Sequence, residues 1–134
     1  MTKKKALLID DDETILNTYS SLLREEGYCV VTAESGIRVL KELCHHSFDL
    51  VIIDLAMKNG GGFTILGVIK VLSPDIPLIV FLNGRSEIAR KSVSLLKTCT
   101  LIEKPCNHEM LISSIRSSSN KTNFVLPNAG NYSP

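Results

Sequence analysis

The sequence predicts an α/β fold in which one parallel sheet is covered on both faces by helices. Five short apolar runs alternate along the chain with stretches whose apolar residues recur at helical spacing. The runs at residues 50–53 and 78–82 are continuously apolar, which is typical of parallel strands buried on both faces. Since crossovers between such strands are right-handed, the pattern favours a doubly wound sandwich.

The expected strands are short, and turn or capping residues separate them from the helices. They are residues 6–9, 29–31, 50–53, 78–82 and 101–102. Three polar side chains stand where a helix N-cap is needed, and these are Asp12, Ser35 and Asn107. Gly27 is expected to end the first helix, and Ser73 followed by Pro74 the third.

The helices between these strands differ in polarity. The second and third helices are expected to face the sheet through Val39, Leu40, Leu43, Phe63, Leu66, Ile69 and Leu72. The fourth helix covers about residues 87–97 and is more polar. Asn83 and Gly84 are expected to form the turn that precedes it.

Length and composition indicate a single globular domain. The 134 residues suffice for one core, which we assign to residues 1–119. Residues 120–134 are polar and are expected to be a disordered tail in which the apolar residues 124–126 could dock locally. No apolar run approaches the ~20 residues of a membrane span, and the N-terminus lacks the apolar core of a signal peptide, so we expect no membrane contact and a cytoplasmic location.

Acidic side chains follow two of the predicted strands. In the flavodoxin-like strand order 2-1-3-4-5, strands one and three are neighbours, and ligands bind beyond their carboxyl ends. Asp10 and Asp11 end strand one and Asp54 ends strand three, so the three carboxylates are expected to converge. Lys104 ends strand five on the same edge of the sheet.

Converging carboxylates of this kind suit Mg²⁺ chemistry. The ion takes one or two carboxylates and keeps several waters, and it would offset the repulsion among the aspartates. A metal beside an aspartate also suits phosphoryl transfer, because it neutralises charge on the transferring group. Asp54 adjoins a glycine-rich loop at residues 59–62, and it is the natural nucleophile, which could form an acyl phosphate.

Four motifs together resemble a response-regulator receiver domain over about residues 4–117. They are LLIDDDETI, VIIDLAMKNGGGF, PLIVFLNG and LIEKPCN. The resemblance implies that Asp54 is the phosphoacceptor and that Lys104, followed by a cis bond to Pro105, contacts the phosphoryl group. It also implies the Mg²⁺ ligands, which are Asp11, Asp54 and the backbone carbonyl of Ala56 directly and Asp10 through water.

The resemblance further implies a signalling domain rather than an enzyme. Its phosphoryl donor would be a histidine kinase or phosphotransfer protein, and its output partner would bind the face formed by helix four, strand five and helix five. Nucleic-acid binding is not expected, since the net charge is +1 and only three tyrosines and four phenylalanines are present. A phosphatase of the haloacid-dehalogenase type would need an aspartate at Ala56, and a flavin site would not suit the acidic first loop.

Two positions depart from the family pattern. Leu82 replaces the Thr or Ser whose hydroxyl bonds the phosphoryl group, and Leu101 replaces the Tyr or Phe that moves with it. Asn83 could substitute as a donor if the strand end bulges. The usual switch, which couples phosphorylation to the face of helix four, is therefore expected to be weak or to act through other residues. The alternative function is a receiver-like interaction module that does not depend on phosphorylation.

Overall fold

Strands and helices alternate throughout the computed structural model, which describes residues 3–58, 61–83, 87–94 and 98–118. The strands are β1 (Lys4–Ile9), β2 (Tyr28–Ala33), β3 (Leu50–Asp54), β4 (Leu78–Asn83) and β5 (Cys99–Lys104). The helices are α1 (Glu13–Glu25), α2 (Gly36–His45), α3 (Gly62–Leu72), α4 (Glu87–Ser94) and α5 (His108–Ser118). Gly84, residues 95–97 of the predicted fourth helix and the predicted tail at 120–134 lie outside the described residues.

The five strands form one parallel sheet in the order β2-β1-β3-β4-β5. This confirms the predicted flavodoxin-like order, with β1 and β3 as neighbours. The register pairs Asp54 of β3 with Phe81 of β4, and Asn83 of β4 with Lys104 of β5. The register therefore brings the polar residues that end β1, β3 and β5 to the same edge of the sheet.

The sheet is buried on both faces, as the continuous apolar runs predict. One face packs against α1 and α5, with Ile52 and Phe81 among its strand residues. The other face packs against α2, α3 and α4, with Ile53 and Leu82 among its strand residues. Successive side chains of a strand point to opposite faces of the sheet, and helices cover both faces. This is why the strands are apolar at nearly every position. No helix within the described ranges is long and apolar enough to cross a bilayer.

The predicted helix ends are confirmed. The Asp12 side chain accepts hydrogen bonds from the backbone N–H groups of Thr14 and Ile15, and Ser35 accepts one from Arg38. Asn107 accepts one from the N–H of Met110 at 2.8 Å. Gly27 follows α1 with a φ of 94°, a left-handed conformation that favours glycine.

The predicted inner faces of α2 and α3 are wrong at three residues. Leu40, Phe63 and Leu72 are 46%, 47% and 48% exposed. In α3 the predicted Leu66 and Ile69 are buried, and the third buried apolar side chain is Ile65. Because α3 is apolar around most of its circumference, its sequence does not mark which side faces the sheet.

Gly62 lets the N-terminus of α3 approach the end of β3. A Cβ atom added there would lie 2.8 Å from Leu55 Cα and 3.2 Å from the Asp54 carbonyl oxygen, both backbone atoms that cannot rotate away. At Gly67 of the same helix, an added Cβ would have no atom within 4 Å. The two glycines therefore have different structural roles.

We predict that Gly62→Ala lowers the free energy of unfolding by about 1–3 kcal/mol, because the methyl group forces α3 away from β3. Gly67→Ala is the matched control, and it should raise the same quantity by up to about 1 kcal/mol through helix propensity alone. Urea denaturation of both variants measures the difference. A similar gain in stability for both would show that the contact at Gly62 is not close.

Candidate functional site

Asp54 lies at the carboxyl end of β3 with both of its carboxylate oxygens held. It is 6% exposed. Its Oδ1 accepts a hydrogen bond from the backbone N–H of Ala56 at 2.8 Å, and its Oδ2 pairs with the Lys104 ammonium. The N–H of Leu55 bonds the carbonyl of Phe81 at 3.0 Å, so the β3–β4 ladder runs up to the site. These bonds fix the direction of the Asp54 side chain.

Asp10 lies at the end of the neighbouring strand β1, where it is 3% exposed. Its backbone N–H donates to the carbonyl of Ala33, and its Oδ1 accepts the N–H of Asp12 at 3.0 Å. Burial, with a further contribution from the negative charge of Asp54, raises the pKa of Asp10 to about 6. The Asp12 N–H and Lys104 oppose this rise without cancelling it.

The pKa of Asp10 is raised first by burial and then by the negative charge of Asp54, so an ionised Asp10 carries a cost at this edge of the sheet. A bound cation would relieve it, and carboxylate and carbonyl oxygens are the ligands that Mg²⁺ prefers. In the described part of the chain, no group of three or more His, Cys, Asp or Glu side chains is arranged to hold a metal ion by itself. The donor set predicted above does not require such a group. It has two direct carboxylates, from Asp11 and Asp54, and the Ala56 carbonyl and water complete it, which fits Mg²⁺.

Lys104 reaches the site from the end of β5, and its side chain is 23% exposed. Its Nζ lies 5.6 Å from the centroid of the Phe81 ring, and that ring packs against Tyr19 of α1 with centroids 5.5 Å apart. The Lys104 ammonium thus makes a cation–π contact with the Phe81 ring, which packs in turn against Tyr19. The bond between Lys104 and Pro105 is cis, as the resemblance implies.

Sequence reasoning missed Phe81 and Tyr19 as parts of the site. Each fits an ordinary core position, since one lies within an apolar strand and the other at helical spacing in α1. The signal that could have found Phe81 is the strand register, which sets it beside Asp54. Burial raises the pKa of the Tyr19 hydroxyl, so this group stays neutral beside the carboxylates.

The two departures from the family pattern lie together in the core. Leu82 is 3% and Leu101 is 7% exposed, and both belong to the apolar cluster that includes Ala89 and Val93 of α4. The β4–β5 pairing is regular up to Asn83, so the bulge that would turn Asn83 toward the site is absent from this stretch. The position that usually supplies a hydroxyl is therefore apolar here.

An ion pair that the sequence did not reveal joins α4 to β5. The guanidinium of Arg90 pairs with the carboxylate of Glu103, and their side chains are 22% and 15% exposed. Glu103 pairs in register with Leu82 of β4. Apolar packing and an ionic contact therefore both hold α4 against the sheet beside the switch positions.

The class of protein follows from the fold and from the pairing of Asp54 with Lys104 at the carboxyl edge of the sheet. Both are as expected for the α/β signalling domains that the four motifs resemble. The family model of the response regulator receiver domain matches residues 6–116. The chain therefore belongs to the response-regulator receiver domain family, which acts in two-component signalling.

Curated relatives are longer proteins that the chain matches over a part of their length. It is 33% identical over 109 residues to the transcriptional regulatory protein GlrR of Escherichia coli, covering 81% of this chain and 24% of GlrR. It is 28% identical over 116 residues to the autoinducer sensor kinase/phosphatase CqsS of Vibrio cholerae, covering 84% of this chain and 17% of CqsS. The chain thus spans less than a quarter of either relative.

A solved structure agrees with the same assignment. The response regulator protein TrrA of Thermotoga maritima, in complex with Mg²⁺-BeF, is similar with a TM-score of 0.72 and 28% identity. The similarity covers 86% of this chain and 98% of TrrA.

We predict that Asp10→Asn stabilises the protein by about 1–3 kcal/mol at pH 7.5 in EDTA. The pKa of Asp10 rises from 3.8 in the unfolded chain to about 6 in the folded one, so the folded state binds this proton more tightly. Its cost to stability therefore appears as the pH rises through this interval and persists above it. Asparagine keeps the acceptor for the Asp12 N–H but has no charge to bury.

Urea denaturation at pH 7.5 and pH 4.5 tests this expectation, and the gain should shrink at the lower pH. The exposed Asp75→Asn is the matched control, with an expected change within about 0.5 kcal/mol at both pH values. An Asp10→Asn gain of equal size at both pH values would mean that the burial of charge is not its cause.

Proposed function

We propose that this chain accepts a phosphoryl group on Asp54, with Mg²⁺, from a histidine kinase or phosphotransfer protein, and that it signals through protein–protein contacts. The observation that carries the proposal is the pairing of the Asp54 carboxylate with the Lys104 ammonium while its other oxygen accepts the Ala56 N–H. These contacts aim an aspartate at the open edge of the sheet and keep a cation within reach of an incoming phosphoryl group.

The chemistry assigns a separate task to each residue. An oxygen of Asp54 bonds to phosphorus as the bond from phosphorus to the donor nitrogen breaks, and that nitrogen keeps the electron pair. Lys104 exchanges its carboxylate partner for a phosphoryl oxygen. A Mg²⁺ ion held by Asp11, Asp54 and the Ala56 carbonyl, with Asp10 acting through water, would neutralise negative charge on the phosphoryl oxygens. The Mg²⁺-BeF complex of TrrA supports a magnesium site in this family.

We predict that acetyl phosphate and Mg²⁺ add one phosphate to the native chain and none to Asp54→Asn, because the amide cannot attack phosphorus. Intact-mass spectrometry measures the adduct, and EDTA should abolish it. Asp12→Asn is the matched control from the same acidic run, since asparagine caps α1 as well as aspartate does, and it should be phosphorylated like the native chain. An adduct on Asp54→Asn, or one that forms in EDTA, would contradict the assignment.

The second candidate function is an interaction module that works without phosphorylation. It is favoured by the apolar contacts of Leu82 and Leu101 with α4 and by the Arg90–Glu103 ion pair. Neither leucine offers a hydroxyl that a phosphoryl group could draw inward. Beryllofluoride, a phosphoryl analogue, separates the two functions, because only the first requires that the chain bind it with Mg²⁺.

We predict that beryllofluoride and Mg²⁺ bind the native chain but alter amide exchange little in α4 and β5. Leu82→Thr should enlarge the response there, because its hydroxyl can bond the phosphoryl analogue. Leu82→Ala is the matched control, since it removes side-chain volume without adding a donor. Hydrogen exchange followed by mass spectrometry measures all three proteins, and a large response of the native α4 would show that the switch does not need a hydroxyl at residue 82.

A further inference from the structure

Exposed apolar side chains concentrate on two neighbouring helices. Among the described residues, the large hydrophobic side chains that are strongly exposed all belong to α2 and α3, and they are Ile37 (84%), Leu40 (46%), Phe63 (47%), Val71 (79%) and Leu72 (48%). Apolar side chains exposed singly are common in soluble proteins, whereas a contiguous group indicates a binding surface. Three of the five, Leu40, Val71 and Leu72, lie together along one groove, and Ile37 and Phe63 belong to the same two helices.

A groove runs between α2 and α3 within this surface. It has a volume of about 370 Å³ and is lined by Leu40, Thr64, Gly67, Val68, Val71 and Leu72. We refer to it as the α2–α3 groove. Among the lining residues that the structure describes, Thr64 alone has a polar side chain, so an occupant would be held by apolar contact rather than by hydrogen bonds.

Gly67 forms part of the groove lining although the fold does not need a glycine there. It lies in the middle of α3, where glycine costs about 1 kcal/mol relative to alanine. Among the described residues, an added Cβ would meet no atom within 4 Å, so the packing that they form does not explain the glycine. A bare backbone at this position allows a second helix to approach closely.

Two exposed lysines of α2 and α3 lie beside the groove. Lys41 follows Ile37 by four residues in α2, and Lys70 follows Gly67 by three in α3, so each lies on the same side of its helix as the apolar surface. Both lysines are exposed. The acidic residue of these two helices is Glu42, which is 8% exposed and bonded to Arg38 at 2.7 Å. The surface is therefore apolar with a basic border.

We propose that the α2–α3 groove binds an amphipathic helix of a partner protein that carries acidic side chains beside its apolar stripe. Such a helix would cover the exposed apolar residues in the helix-in-groove manner and would place its carboxylates near Lys41 and Lys70. This surface lies outside the face formed by α4, β5 and α5 that the family resemblance implies for output.

Two other occupants fit the charges less well. A second copy of the chain would bring the basic border of one groove against that of the other. Residues 119–134 contain Lys121 and no acidic residue, and their apolar residues 124–126 are followed at once by Pro127, which ends a helix. An acidic helix from another protein is therefore the occupant that the basic border favours.

Synthetic peptides test the proposal directly on the full-length chain. The probe is a 16-residue helical peptide with leucines at i, i+3, i+4 and i+7 spacing and glutamates on both sides of that stripe. One comparison peptide has lysine in place of every glutamate, and the other has the same composition with the stripe scrambled. Fluorescence anisotropy should show binding of the glutamate peptide that weakens with salt and is at least about tenfold tighter than that of either comparison peptide.

Variants then locate the binding site. Val71→Glu should weaken the glutamate peptide at least about tenfold, because it adds a like charge to the apolar surface. Gly67→Ala should weaken it at least about fivefold while leaving the protein no less stable, so misfolding cannot explain the loss. Ser113→Glu is the matched control, since it adds the same charge at an exposed position of α5 and should leave binding unchanged.

Each contrary result identifies a different error. Equal binding of the lysine peptide, or full binding by Val71→Glu, would overturn the proposal. Sedimentation of the native chain as a dimer that Val71→Glu dissociates would assign the groove to a second copy. Altered amide signals of Val68 and Val71 in Phe124→Ser, without any peptide present, would assign it to the C-terminal residues of the same chain.

Discussion

The balance of charge at the carboxyl edge of the sheet is the constraint on which the site depends. The fold brings Asp10 and Asp54 to the ends of neighbouring strands, and burial makes their repulsion costly. Backbone N–H groups and the Lys104 ammonium hold these carboxylates but leave the pKa of Asp10 at about 6. Buried carboxylates whose ionisation is costly favour a cation beside them. The arrangement is therefore better explained by ligand binding than by stability.

The sequence was sufficient for the strands and the strand-end residues because both depend on local composition. Strands buried on both faces must be apolar throughout, and parallel strands bring their carboxyl ends to one edge, so Asp10, Asp54 and Lys104 could be predicted to lie on one rim. The inner face of α3 could not be predicted, because a helix that is apolar on most sides has no periodic signal. The support of Lys104 by Phe81 was also hidden, since it depends on strand register and not on spacing along the chain.

In the function proposed above, accepting a phosphoryl group and transmitting its presence would have separate structural requirements. The first requires the residues at the ends of β1, β3 and β5. The second usually requires a hydroxyl and an aromatic ring at the positions of Leu82 and Leu101. Here those leucines pack with Ala89 and Val93, and Arg90 pairs with Glu103, so α4 is held against β5 by contacts that do not involve the site. The residues that end β1, β3 and β5 are therefore present although the usual switch residues are not.

The helix nearest to Asp54 in the sequence is also the one that carries much of the exposed apolar surface. Gly62 begins α3 in close contact with Leu55, the residue after Asp54, while Val71 near its other end is 79% exposed. Glycine at residue 62 is required for that contact, whereas none of the described residues lies close enough to require glycine at residue 67. One helix thus combines a position fixed by packing against the site with a surface that internal packing does not explain. In this receiver α4 is held by aliphatic and ionic contacts, and α3 joins the end of β3, where Asp54 lies, to the exposed apolar surface.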